Sequence, residues 1–127
     1  MTDVRELGGA RVLVAAAEGE VVAGERAALD LLADAYGREA SWVALPVERL
    51  GAEFFRLRSG VAGAVVQKFA QYRMGLAVVG DVAARVAESD ALRDFVRESN
   101  RGRQLWFVED LPGLAGRLAD RGVVRGS

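Results

Sequence analysis

The residues best placed for chemistry sit in one turn, Arg56-Leu57-Arg58-Ser59-Gly60-Val61-Ala62-Gly63. Two guanidinium groups and a hydroxyl precede what reads as a helix start, where the first backbone amides have no partner inside the helix. Ser59 is the natural N-cap there, and the amides of Gly60, Val61 and Ala62 follow it. Such a turn could bind an anion, or carry a phosphorylated serine beside Arg56 and Arg58. It could equally be a capped helix whose Gly63 allows close packing on a sheet. No lysine follows as in a P-loop, and GxGxxG is absent. Asp81, just after Gly80, is open to two readings. It could act as an acid, metal ligand or hydrogen-bond partner for whatever sits at Ser59, or it could cap a short helix. Glu109-Asp110 is similar, with Asp110 reading mostly as a cap. A second polar cluster, Glu98-Ser99-Asn100-Arg101-Gly102-Arg103, exceeds what a helix end requires. Its positive charge suits a helix C-terminus, while Asn100, Arg101 and Arg103 could also form a partner surface.

What is missing narrows the chemistry further. The 127 residues contain no histidine and no cysteine, so the commonest general base, the commonest metal ligand and any thiolate are absent. No pair of carboxylates has a spacing that asks for a metal. The expectation is a non-enzymatic protein with no cofactor and no metal. Net charge is −1 and Lys68 is the only lysine, so no basic field recruits nucleic acid. Met1-Thr2-Asp3-Val4-Arg5-Glu6 is acidic and polar where a signal peptide would be basic and then apolar. No apolar run approaches the ~20 residues of a membrane span. These points lead to an expected cytoplasmic protein that does not bind membranes. Hydrophobic residues at 51% and charged residues at 28% suit one globular domain over residues 1–127, with a core over about 10–120.

The elements that must position these residues alternate between strand and helix. Residues 1–9 give a short, weak strand ending at Gly8-Gly9, and 11–16 is a compact apolar strand. From Gly24, the residues Ala28, Leu31, Leu32, Ala35 and Tyr36 follow the helical period, and Gly37 supplies a stop. Residues 41–47 form the next strand, with Pro46 at its end or on an edge. A loop over 48–52 leads to Phe54-Phe55 and the turn. The helix after Ser59 carries Val61, Val65, Phe69 and Tyr72 on one face, with Ala62 and Val66 beside them. Residues 75–80 form an apolar run bounded by glycines, suited to a strand buried on both faces. A short helix over 82–88 and a clearer one capped by Ser89 or Asp90 follow, the latter turning Leu92, Phe95, Val96 and Ser99 inward. Gly102 is placed for a left-handed cap. Residues 104–108 are the last strand, and Asp110 with Pro112 starts the last helix. Trp42 and Trp106 read as core residues within strands. Residues 121–127 read as a loose tail.

This order implies an α/β protein: a mostly parallel sheet of about four to five strands, covered by helices. In such a sheet Ser59, Asp81, Glu109 and Asp110 share the edge where strands end. Asn100, Arg101 and Arg103 share the opposite edge, so the two clusters do not form one site within a subunit.

Several stretches resemble an uncharacterised bacterial family, domain of unknown function 4180. They are Pro46-Val47-Glu48-Arg49-Leu50, Phe54 through Gly63, Val66-Gln67-Lys68-Phe69, Leu76 through Asp81, Leu92 through Arg103, and Trp106-Phe107-Val108. The resemblance spans roughly residues 11–118 and brings no established activity. The element order is also similar, more distantly, to STAS-like domains, which include anti-anti-sigma factors. There an Asp-Ser-Ser-Gly-Leu-Gly turn opens the second helix and carries a serine phosphorylated by a partner kinase. Ser59-Gly60-Val61 falls at the matching place, although Arg58 replaces the acidic-serine context and Gly63 comes one residue late. The resemblance implies a regulatory module that binds a protein partner near Arg56, Arg58, Ser59 and Gly60. The alternative is a small-molecule sensor holding an anion at the Ser59–Asp81 edge. A cavity beside Ser59 favours the sensor, and a flat edge favours the partner module.

Overall fold

The apolar runs become strands β1 (Asp3–Leu7), β2 (Ala10–Val14), β3 (Trp42–Pro46), β4 (Gly75–Val79) and β5 (Leu105–Val108). The computed structural model describes residues 2–122. The strands form one five-stranded sheet in the order β1-β2-β3-β4-β5. β1 and β2 pair as an antiparallel hairpin through Gly8-Gly9, and the remaining pairs are parallel. The connecting segments carry helices α1 (Glu25–Gly37), α2 (Ala52–Phe55), α3 (Val61–Gln71), α4 (Ala83–Ala87), α5 (Asp90–Arg101) and α6 (Leu111–Gly122). The expected loop over 48–52 is more ordered than its composition suggests. It holds a 3-10 turn at Val47–Arg49 and starts α2, whose single helical turn is anchored by the buried Phe54 and Phe55. Of the tail expected over 121–127, residues 121–122 close α6 and the remainder lies outside the described residues.

Alternation along the strands divides the core by face. Val43, Leu45, Leu76, Val78, Leu105 and Phe107 point into the larger cluster with α1, α3 and α5. Trp42, Ala44, Ala77 and Trp106 point the other way, under Leu114 and Leu118 of α6. Trp42 and Trp106 stack with ring centroids 4.3 Å apart. They belong to β3 and β5, with β4 between them. Gly75, the register partner of Trp42, makes the room: a Cβ there would lie 2.3 Å from the indole. The guanidinium of Arg117 covers Trp106 at 4.3 Å, and the Trp106 ring nitrogen donates to the Gly102 carbonyl at 2.8 Å. At the outer edge of the sheet, the Phe107 N–H of β5 donates to the Asn100 side chain at 2.7 Å. Pro46 is the last residue of β3, which is a central strand, so its missing amide falls at the strand end.

The ends of α1 and α5 differ from the sequence reading, and that of α3 is unusual in its residue type. α1 runs through Gly37, and the reversal comes at Glu39 with φ 61°. α3 reverses at Arg73 with φ 57°. Both are Schellman ends: Ala40 N–H reaches Ala35 O at 2.9 Å, and Met74 N–H reaches Phe69 O at 2.9 Å. The buried Met74 and Phe69 supply the accompanying apolar contact. A charged residue thus stands at each position where glycine is usual. Tyr36 and Tyr72, expected to face inward, are 49% and 42% exposed because each lies at its helix end, past the buried face. The Tyr36 hydroxyl instead donates to the Tyr72 carbonyl. Gly102 is not left-handed, since its φ of −92° is extended; α5 ends with Gly102 N–H on Ser99 O.

Three outcomes are expected. Gly75→Ala should destabilise the fold by at least about 1–3 kcal/mol, through overpacking against Trp42, as read by chemical denaturation. Arg73→Gly should stabilise it by about 0.5–1 kcal/mol, because glycine removes the left-handed penalty and only part of that gain is lost to unfolded-chain entropy. The amides of Leu76–Val79 should be among the slowest to exchange, β4 being an inner strand with Leu76, Ala77 and Val78 fully buried. Rapid exchange there would contradict this architecture.

Candidate functional site

Between β3 and α3 the chain makes α2 and then a second 3-10 turn, Leu57–Ser59. This turn folds Ser59 back towards α2. Its hydroxyl donates to the Glu53 carbonyl at 2.6 Å and accepts the Val61 N–H at 3.2 Å. Gly60, with φ 85°, occupies the N-cap position of α3 and has no side chain to cap with, so the hydroxyl that takes the first helical N–H comes from one residue further back. The expected N-cap role of Ser59 is therefore corrected. A left-handed residue intervenes, and the serine becomes a tie between α2 and the start of α3. Gly63 is not in close contact either, since a Cβ there would meet nothing within 4 Å.

The same segment forms one wall of a cleft of about 570 Å³. Phe55, Arg56, Leu57 and Arg58 face Arg85 and Glu88 at the end of α4, and the start of α5 closes it. The three guanidinium groups are not equivalent. Arg56 pairs with Glu53. Arg85 lies 4.4 Å from the Phe55 ring centroid, which holds the group without using its donors. Arg58 is exposed and has no ion pair or hydrogen bond from its side chain among the described residues. Glu88 adds a carboxylate to the lining, and Ser89 caps α5 by accepting the Leu92 N–H at 3.1 Å. Sequence reasoning found Arg56 and Arg58 but passed over Arg85 and Glu88. The available signal was their position on the helix after β4, on the same sheet edge.

The structure does not bring Asp81 into this cleft. Its carboxylate accepts the Ala83 N–H at 2.8 Å at the start of α4. It lines a separate depression with Gly80, Phe107 and Glu109. Asp110 accepts the Gly113 N–H at 2.8 Å, as a cap for α6. Among the described residues no group of three His, Cys, Asp or Glu side chains could hold a metal ion.

The second cluster lies on the opposite edge and divides on inspection. Asn100 is bound into the fold: its side chain takes the Phe107 N–H, and its carbonyl accepts from Arg117 at 2.6 Å. Arg101 pairs with Glu98 at 3.3 Å, the third rung of an α5 ladder that begins with Asp90–Arg93 and Asp94–Arg97. Arg103 is exposed and without an ion pair among the described residues.

A mostly parallel five-stranded sheet with helices on both faces defines the class as an α/β protein, and an arginine-lined cleft lies where the strands end. The chain belongs to the family described as Domain of unknown function (DUF4180), whose model matches residues 7–118. That span includes both the cleft and the Asn100–Arg103 corner. No curated protein and no solved structure matches the chain. Among the described residues no helix is long and apolar enough to cross a membrane.

The two bonds of Ser59 set an order for substitutions. Ser59→Ala should cost about 1 kcal/mol, through loss of a hydrogen bond. Ser59→Asp should cost more, because it loses the same donor and also sets a carboxylate against the Glu53 carbonyl oxygen. Urea unfolding of the two variants checks the order. An aspartate variant as stable as wild type would restore the simple cap reading.

Proposed function

We propose that the protein is a non-enzymatic regulatory module that binds a protein partner through the Arg56–Ser59 edge. The observation that carries this reading is the Arg58 side chain, which lines the cleft with no ion pair or hydrogen bond among the described residues. All three arginines of α5 are paired within their own helix. An unpaired guanidinium beside Arg85, at the edge where open α/β sheets bind ligands, suits an acidic group from outside the chain. The absence of histidine and cysteine from the sequence supports a binding role over a catalytic one. The STAS-like element order adds a fold-level analogy to regulatory domains.

A small-molecule sensor is the second reading, and one observation favours it. The edge is a cleft rather than a flat surface, and about 570 Å³ lies within the range of small-ligand sites. Its position moves from the Ser59–Asp81 pair to Arg58 and Arg85.

Capture from the native host with immobilised wild-type and variant proteins separates the surfaces. Arg58→Ala should lose any specific partner while its thermal midpoint stays close to wild type, because an exposed unpaired charge contributes little to stability. The Arg101→Ala, Arg103→Ala double variant should keep both partner and midpoint. A partner retained by Arg58→Ala and lost by the double variant would move the interface to the opposite edge.

A further inference from the structure

We propose that the cleft between α2 and the α4–α5 corner binds a phosphate monoester, with Arg58 and Arg85 as the guanidinium donors. This rests on the reading of the Arg56–Ser59 edge as the binding edge. Every cation in the lining is an arginine, the side chain whose planar fork matches phosphate oxygens two at a time. Ion pairing removes Arg56 from the count, since Glu53 neutralises it. Arg85 keeps its N–H donors free, because the Phe55 ring orients the guanidinium without satisfying them. Arg58 has no partner among the described residues.

Two guanidinium groups with free N–H donors thus line one cleft, beside the Glu88 carboxylate. A carboxylate ligand has two acceptor oxygens, enough for one guanidinium fork. A phosphate monoester brings roughly −1.5 to −2 at pH 7 and three acceptor oxygens, enough for both. The volume exceeds what a bare phosphate fills, and Leu57 and Leu92 supply apolar walls for the organic part of an ester. Glu88 lies in the same lining with no ion pair among the described residues. It opposes any anion there, and more strongly the greater the anion's charge, so its removal should strengthen binding. The ester could be a phosphorylated side chain of a protein partner or a small phosphorylated metabolite; the chemistry of recognition is shared.

Calorimetric titration of the full chain tests the assignment with four probes: phenyl phosphate, a phosphoserine peptide, the same peptide unphosphorylated, and the same peptide with glutamate at that position. At least one phosphate ester should bind, and the unphosphorylated and glutamate peptides should bind much more weakly. Arg58→Ala should weaken binding about tenfold or more, as expected for loss of a charge-assisted bidentate contact. Glu88→Gln should strengthen it. A peptide preferred over phenyl phosphate identifies a modified protein as the source, and equal binding identifies a small molecule. No ester bound at millimolar concentration, a glutamate peptide bound as well as the phosphopeptide, or affinity unchanged by Arg58→Ala each overturns the proposal. A host partner lost by Arg58→Ala with no ester bound would overturn this inference alone. An ester bound in the cleft with the partner still held by Arg58→Ala would overturn the partner reading alone.

Discussion

Two tryptophans from strands that are not neighbours stack across the strand between them, and this contact constrains most of the molecule. The stack needs a residue without a side chain at Gly75, because the Trp42 indole occupies the space a Cβ would take. It also needs small residues beside it. Ala44 and Ala77, on the same face, leave the indoles room to lie flat under α6. The face is then bulky at two points and shallow elsewhere, so one helix with Leu114 and Leu118 covers it. Burying two indoles contributes several kcal/mol, and their offset stacking adds about another 0.5–1.5 kcal/mol.

The stack reaches the sheet edge through Arg117 and Asn100. Arg117 covers Trp106 and donates to the Asn100 carbonyl, while the Asn100 side chain takes the outward Phe107 N–H of β5. An edge strand with unpaired amides invites pairing with other chains. Here the end of α5 closes that edge with a side-chain amide. The polar cluster that read as a second surface is therefore partly a closure for the sheet. Arg101 completes a helix ladder, which leaves Arg103 as the exposed, unpaired cation of that corner among the described residues.

Much of the architecture was legible because it depends on periodicity. Residues 75–80 have no polar face to offer solvent, and the strand there proved central. The helical spacing of Leu31, Leu32 and Ala35 likewise fixed the buried face of α1. The helix ends were not legible. Glu39 and Arg73 adopt left-handed backbones that their types do not favour, because the apolar contact at Ala40 or Met74 outweighs the local penalty. The site was legible as a segment but not as a geometry. A serine before a glycine reads as a cap. Only the three-dimensional path reveals that a 3-10 turn aims its hydroxyl back at Glu53.

That redirection changes what the turn can do. With its hydroxyl tied between Glu53 and Val61, Ser59 holds α2 against the start of α3, and it is α2 that presents Phe55 to Arg85. A modification or substitution at Ser59 would therefore act on the cleft through the position of α2. The turn residue and the arginines form one unit in which the serine sets the wall and the guanidinium groups supply the charge. The arginines line the cleft from two segments, one after β3 and one after β4. These are adjacent strands, paired in the register that sets Trp42 against Gly75. The packing of the core and the two walls of the candidate site thus meet on the same pair of strands.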